Sequence, residues 1–365
     1  MKIIPYNEAS LEDVKAFNHR MKKGGSTHKI PEDFESGRFA EIGNGIIDRE
    51  YILALDGSNV RGGYTLKYQD YRINQKDGRL ALMQPPVSEE LVDSSFRGVG
   101  KQLIEELAMR EPMLLVSGIR RKGYFGPELF HEIGWPVLEI PFYFKIRNAF
   151  GFLRNISYLR DNIFKKTGLD LAALSGLGWL GLKILNLFKY RKTLRTEDSN
   201  SEMVDAFGQW ADDLWEVSRN GYIMSAVRDS NLLNTLYPSS DERFIRLRVS
   251  FGKNNVGWAV LLSVQLKDHD SYGSMKLGSI VNCLSLPGFE EYVIEQATKI
   301  LKTLDVDLIV TNQSYKSWRR AMNNCGFMQG PSNFFIAMSP PLARLLEPLQ
   351  KHLDLIHINR ADRSF

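Results

Sequence analysis

Arg97-Gly98-Val99-Gly100-Lys101 is the stretch in which residue types and spacing point to a defined chemistry. Two glycines one residue apart, where a strand gives way to a helix, let several backbone N–H groups converge on one point with no Cβ in the way. That point lies at the positive end of the helix dipole, so it suits an anion such as a phosphate. Arg97 and Lys101 add positive charge beside it. Other chemistries lack their residues. The six histidines (His19, His28, His131, His269, His352, His357) show no paired ligand spacing and Cys283 and Cys325 form no Cys-x-x-Cys, so no metal site is expected. There is no Gly-x-Ser-x-Gly elbow, no Gly-x-x-x-x-Gly-Lys-Ser/Thr loop and no Gly-x-Gly-x-x-Gly after a strand.

The longer run Val92-Asp-Ser-Ser-Phe-Arg-Gly-Val-Gly100 resembles the pyrophosphate-binding loop of the GNAT superfamily of acyl-CoA-dependent N-acyltransferases, usually Val-x-Pro-x-Tyr-Arg-Gly-x-Gly. Ser94 stands for the family's Pro and Phe96 for its Tyr, and Glu132-Ile-Gly-Trp135 takes the place of a later Glu-x-x-Gly-Phe. The resemblance implies acetyl-CoA, or another acyl-CoA, as cofactor. Its pantetheine arm would meet the backbone near Leu91 and Val92, and its pyrophosphate would sit on Arg97, Gly98, Val99, Gly100 and Lys101. Transfer in that family is direct: an amine attacks the thioester, a base removes the amine's proton and an acid can return one to the leaving thiolate. The base is usually a carboxylate on or near the strand before the loop, which leaves Glu89, Glu90 and Asp93. Strand alternation puts Glu89 and Glu90 on opposite faces, and Glu90 is the expected base. The family's acid, a Tyr, is Phe130 here, so Tyr124 and His131 are the substitutes at hand.

The elements that must position these groups are legible in the pattern. A strand near Lys2–Tyr6, a helix opening at Ser10, a hairpin of Tyr51–Leu55 and Gly63–Tyr68 about Asp56-Gly57-Ser58-Asn59, and a strand at Arg79–Met83 lead to the loop. Val99, Leu103, Ile104, Leu107 and Ala108 then mark one face of a helix. A strand at Met113–Val116, a helix from Pro127 to Gly134-Trp135 and a strand Val137–Ile146 follow. The same order recurs. Strands at Phe244–Val249, Gly257–Leu262 and Ser279–Leu284 precede Pro287-Gly288, a helix faced by Val293, Ala297, Ile300, Leu301 and Leu304, the strand Asp307–Thr311 and a helix ending at Gly326-Phe327. Gly100 to Gly134 is 34 residues and Gly288 to Gly326 is 38, as two copies of one fold require. In the second copy Leu286-Pro287-Gly288-Phe289 has no second glycine and no Arg, and Glu290-Glu291 would repel a phosphate, so it reads as a degenerate partner walling the acceptor site.

Length and charge complete the expectation. The chain has 365 residues, 43% hydrophobic and 25% charged, enough for two packed domains and unlike a disordered or disulfide-rich chain. Two cysteines and acidic residues close to the N-terminus fit a reducing, cytoplasmic setting. The net charge of +4 is uneven: residues 147–196 hold ten basic and two acidic residues, and no basic face outside them suggests nucleic acid. Within that segment, residues 171–188 are almost wholly apolar but too short and interrupted to span a bilayer, and the surrounding 165–192 has the composition of a peripheral membrane contact. The expected architecture is α/β (α+β): two tandem GNAT-like domains, each a splayed mixed sheet flanked by helices. The divisions are 1–147 (acyl-CoA-binding), 148–200 (connector), 201–345 (degenerate copy) and 346–365 (tail). Val227–Asn234 and Ile356–Asp362 resemble segments of tandem GNAT-like proteins of bacterial cell-surface polysaccharide synthesis, which implies an amino sugar or cell-envelope amine as acceptor. Two other functions fit the sequence: a Fem-like aminoacyl-tRNA-dependent transferase, and a non-catalytic scaffold at a membrane.

Overall fold

The computed structural model describes residues 1–7, 10–32, 47–119, 121, 125–156 and 199–363. Tyr124, the connector within 157–198 and the membrane contact expected of 165–192 lie outside the described residues. The strands are β1 (Lys2–Pro5), β2 (Asp48–Asp56), β3 (Asn59–Ile73), β4 (Lys76–Met83), β5 (Val87–Ser88), β6 (Leu114–Ile119), β7 (Val137–Glu139), β8 (Phe142–Ile146), β9 (Ser199–Met203), β10 (Met224–Ala226), β11 (Phe244–Phe251), β12 (Asn254–Gln265), β13 (Lys276–Ser285), β14 (Leu308–Asn312), β15 (Met328–Gly330), β16 (Phe335–Met338) and β17 (Ile356–His357). They build two mixed sheets, one in the order β1-β2-β3-β4-β6-β16-β7 and the other β15-β8-β14-β13-β12-β11-β9.

Each sheet has the same heart. In the first, β3 and β4 pair antiparallel, and the Val99–Arg110 helix carries the chain from β4 to a parallel partner, β6. That helix buries Leu103, Ile104 and Leu107 against Ile52, Leu66 and Val116. In the second, β12 and β13 pair antiparallel, and the Glu290–Thr303 helix leads to β14, again parallel. Val293, Ile294, Ala297 and Leu301 are its buried stripe. The parallel pairing is short in both, covering Ala81–Met83 with Leu114–Val116 and Leu277–Ser279 with Leu308–Val310. Beyond it the third strand of each copy is irregular. Gln84, Pro85 and Pro86 stand opposite Tyr64 and Thr65, because proline offers no N–H to the ladder, and Val281 is squeezed out between Ile280↔Leu261 and Asn282↔Val260.

Two strands cross the divisions expected from the sequence. The single strand read over Val137–Ile146 is two, interrupted at Ile140-Pro141. β7 stays in the first sheet, while β8 enters the second between β14 and β15. Reciprocally, β15 stays in the second sheet and β16 enters the first between β6 and β7. The two crossing points hold each other. Ile140 N–H donates to Phe334 O at 3.0 Å, and the Ser332 hydroxyl donates to Ile140 O at 2.6 Å. A second bridge runs beside them, with β10 pairing with both β3 and β17 and Gln313 forming a bridge with Asn359. No helix among the described residues is long and apolar enough to cross a membrane.

Candidate active site

Gly98 takes φ +95° and caps the Val99–Arg110 helix, a conformation that favours glycine. Gly100 follows in the first turn, where an added Cβ would fall 2.2 Å from Phe125 Cε1 and 2.5 Å from Glu90 Oε1. The glycine pair therefore does what its spacing suggests and lets its N–H groups converge. Their partner, however, is internal. Gly98 N–H donates to Glu90 Oε2 at 2.6 Å, Gly100 N–H to Oε1 at 2.8 Å, and the Ser88 hydroxyl to Oε1 at 2.8 Å.

Strand alternation fails just before the loop. β5 ends at Ser88 and Glu89–Leu91 forms a single 3-10 turn, so both carboxylates are buried. Glu89 points the other way, accepting from Arg20 Nε at 2.6 Å and from an Arg61 terminal nitrogen at 2.9 Å. Burial alone would raise its pKa, but the hydrogen bonds and charge of the two arginines outweigh it and hold the carboxyl below its usual value. Arg61 also lies 4.1 Å from the centre of the Phe96 ring, so Phe96 has a packing role in the loop.

The turn also occupies the backbone that the resemblance gives to pantetheine. Val92 N–H and Asp93 N–H both donate to Glu89 O, at 3.0 and 2.9 Å. Leu91 is half-buried between two core clusters, and Gly24, just past the first helix (Leu11–Lys23), packs on Val92 so closely that an added Cβ would sit 2.4 Å from Val92 Cβ. Asp93 is exposed and accepts from the Ser95 hydroxyl and N–H at 2.7 and 2.9 Å, which lowers its pKa. Arg97 and Lys101 are exposed beside the loop, with Lys101 3.7 Å from Glu105. Val99 is half-buried against the first core. His131 is exposed on the Pro127–Glu132 helix, whose Phe130 is fully buried against Trp135. The structure thus gathers Glu90, Gly98 and Gly100 in direct contact and leaves His131 on the surface.

In the second copy Gly288 takes φ +89°, and its N–H donates to Glu290 Oε2 at 3.0 Å. Glu290 opens its own helix, and burial pushes its pKa up.

A small void of about 10 Å³, room for about one water, that the sequence reading did not assemble lies between the sheets. It is lined by Lys67 and Gln69 of β3, Arg228, Asn282 of β13 and Asp362. Arg228 is 1% exposed. It donates to Asn282 Oδ1 at 3.1 Å, Asp362 Oδ2 at 3.1 Å, Ala226 O at 3.0 Å and the Ser225 hydroxyl. Asn359 donates to Asn282 Oδ1 at 2.8 Å, its own N–H meets Asp362 Oδ2 at 2.8 Å, and the Tyr71 hydroxyl of the first copy donates to Asp362 Oδ1 at 3.4 Å, so residues from both copies and the tail share one network. Burial, aided by Arg49, pushes Lys67 down to about 8, against the opposite pull of Asp362. Nearby His357 is fully buried among Tyr222, Tyr315 and Trp318 with neither ring nitrogen hydrogen-bonded, and burial and Arg228 hold its pKa well below the usual value. The two segments singled out by resemblance, Val227–Asn234 and Ile356–Asp362, supply Arg228 and Asp362. Lys67 had no such signal.

Two mixed α/β sheets, each with a helix between its parallel strands and a splay beyond them, constitute a tandem GNAT-like fold. Solved structures share it. A conserved protein of unknown function from Enterococcus faecalis V583, described as a probable N-acyltransferase, matches over 95% of this chain and 74% of its own, with TM-score 0.51 and 10% identity. N-myristoyltransferase from Saccharomyces cerevisiae with bound myristoyl-CoA matches over 93% of this chain and 78% of its own, with TM-score 0.51 and 11% identity. A GCN5-related N-acetyltransferase from Anabaena variabilis ATCC 29413 matches over 92% and 72%, with TM-score 0.50 and 10% identity. No protein-family model and no curated protein matches the sequence.

Proposed function

We propose that the chain is an acyl-CoA-dependent N-acyltransferase whose first copy holds the cofactor, with acetyl-CoA the first candidate. The observation that carries this reading is the convergence of the Gly98 and Gly100 N–H groups on one carboxylate, at 2.6 and 2.8 Å. Donors that hold two oxygens of a carboxylate have the geometry to hold two oxygens of a phosphate, and the helix dipole with exposed Arg97 and Lys101 supplies the field. A structural relative that binds myristoyl-CoA in the same tandem fold supports an acyl-CoA in general.

The acceptor half of the reading, an amino sugar or cell-envelope amine, rests on the resemblance of Val227–Asn234 and Ile356–Asp362. The void beside Lys67, Gln69, Asn282 and Asp362, about 10 Å³, holds no more than about one water and is not its binding site. In the reaction the amine nitrogen bonds to the thioester carbon, the carbon–sulfur bond breaks, and the amine's proton leaves to a base while the thiolate takes one up. A cytoplasmic enzyme with 165–192 against an anionic membrane face would meet such an acceptor where envelope polymers are assembled.

Calorimetry with acetyl-CoA tests the cofactor half, comparing wild type with an Arg97→Glu, Lys101→Glu double variant. Both side chains are exposed, so the fold should persist. Binding weakened about tenfold or more by the reversal is the expected result, equivalent to about 1.4 kcal/mol. Folded wild type that binds no acyl-CoA would overturn the reading.

A further inference from the structure

We infer that Glu90 is an exchangeable occupant of the Gly98–Gly100 site, a latch that a phosphate-bearing ligand displaces and that sets the affinity of the loop. The inference rests on the acyl-CoA reading for the ligand's identity, and on the loop's own geometry for the exchange.

Two neighbouring carboxylates are treated differently. Glu89 is fixed by two guanidinium groups, Arg20 and Arg61, as a buried charge normally must be. Glu90, 6% exposed, makes no ion pair among the described residues. Its oxygens are held by two N–H groups of a helix mouth and one hydroxyl. Those N–H groups are the donors an anionic ligand would use, so Glu90 and the ligand compete for the same hydrogen bonds. Displacement asks little of the backbone. The 3-10 turn stays tied to the first helix and to β3 through Glu89, and the group that moves is one side chain reaching the loop from eight and ten residues upstream. Glu290 of the second copy lies two residues from Gly288 on the helix it caps, so its contact is a local cap.

A latch lowers the apparent affinity by the fraction of molecules in which the loop is open. Weakening it must therefore tighten anion binding; since Glu90→Gln also removes a negative charge that would repel the ligand, Ser88→Ala, which keeps the charge, separates the latch from simple repulsion. The test follows the Gly98 and Gly100 amide signals of the full chain, labelled with nitrogen-15, during titration with inorganic pyrophosphate and separately with acetyl-CoA. Glu90→Gln replaces one acceptor oxygen with an NH2 group that cannot accept. Pyrophosphate is expected to saturate its glycine signals at about a tenth of the wild-type concentration or less. Ser88→Ala removes only the hydroxyl's bond to Glu90, and should tighten binding by about two- to fivefold.

Equal pyrophosphate affinity in wild type and variants would overturn the latch. Should Glu90→Gln not fold, Ser88→Ala decides alone, and an unchanged affinity sinks the idea. Tighter pyrophosphate binding with no response to acetyl-CoA would uphold the latch and defeat the acyl-CoA reading. Glycine signals that respond to neither ligand in any folded variant would defeat both.

Discussion

At the head of the first copy's helix the carboxylate that meets the glycine comes from a separate turn, through Glu90. At the head of the second it belongs to the helix itself, through Glu290. Both loops keep a left-handed glycine, Gly98 at φ +95° and Gly288 at φ +89°. They differ in what stands two residues further on. Gly100 leaves room for Glu90 and Phe125 to press against the backbone, where the second copy has Glu290 and no small residue to open the mouth. One backbone shape thus receives a carboxylate from a separate turn in one copy and from its own helix in the other. Side chains decide which, because the φ of a single glycine fixes the turn and leaves its donors to whatever can reach them.

The sharpest way to break this comparison is to ask whether the copies are separable at all. Ile336 is fully buried, belongs by sequence to the second copy and pairs in the first sheet with Ser117. Ile336→Asp should destabilise the protein by about 4 kcal/mol or more and strip amide protection from β6, as hydrogen exchange would show. Protection lost only in the second sheet would mean that the exchange of strands does not hold in solution. Next in size is Arg228→Met, which leaves the Asp362 carboxylate buried without its cation at the junction of both copies. Denaturant unfolding should register a loss of about 3 kcal/mol, with Asp362→Asn in the same chain recovering part of it. A loss under about 1 kcal/mol would show the pair to be marginal to the joint.

The smallest effect concerns Lys67, on the face of the first sheet that the second copy covers. Its folded pKa of about 8 lies below the unfolded value, so between the two the unfolded chain binds more protons and stability rises with pH. Between pH 8 and 9.5 the gain should be about 2 kcal/mol, and Lys67→Met should flatten it. A slope that persists in the variant would assign the pH dependence to another group.

These predictions turn on residues of which the sequence revealed unequal amounts. Strand and helix order was legible because apolar spacing reports burial on one face, as at Leu103, Ile104 and Leu107. The sheet in which a strand would lie was not. β8 and β16 look like any buried strand, and nothing in Phe142–Ile146 says that its partner is Leu308–Asn312. The glycine loop was legible as a place where backbone N–H groups converge. The place of Glu90 was not, because strand alternation puts Glu89 and Glu90 on opposite faces, whereas Glu89–Leu91 is a 3-10 turn. Nothing in the sequence marks Lys67 or Gln69, and both are buried in the structure. Arg228 and Asp362 could have been flagged, since both fall in segments already singled out, whereas their meeting depends on 134 residues of intervening chain.

The reciprocal placement of β8 and β16 also fixes an order of events as the protein is made. A ribosome delivers residues in sequence, and the first sheet lacks the strand between β6 and β7 until Phe335–Met338 has emerged. For most of synthesis, then, Leu114–Ile119 presents an unpaired edge while Phe142–Ile146 waits for a sheet not yet translated. The second sheet is not complete before Met328–Gly330 has emerged, nor the first before Phe335–Met338, so both copies reach the folded state together.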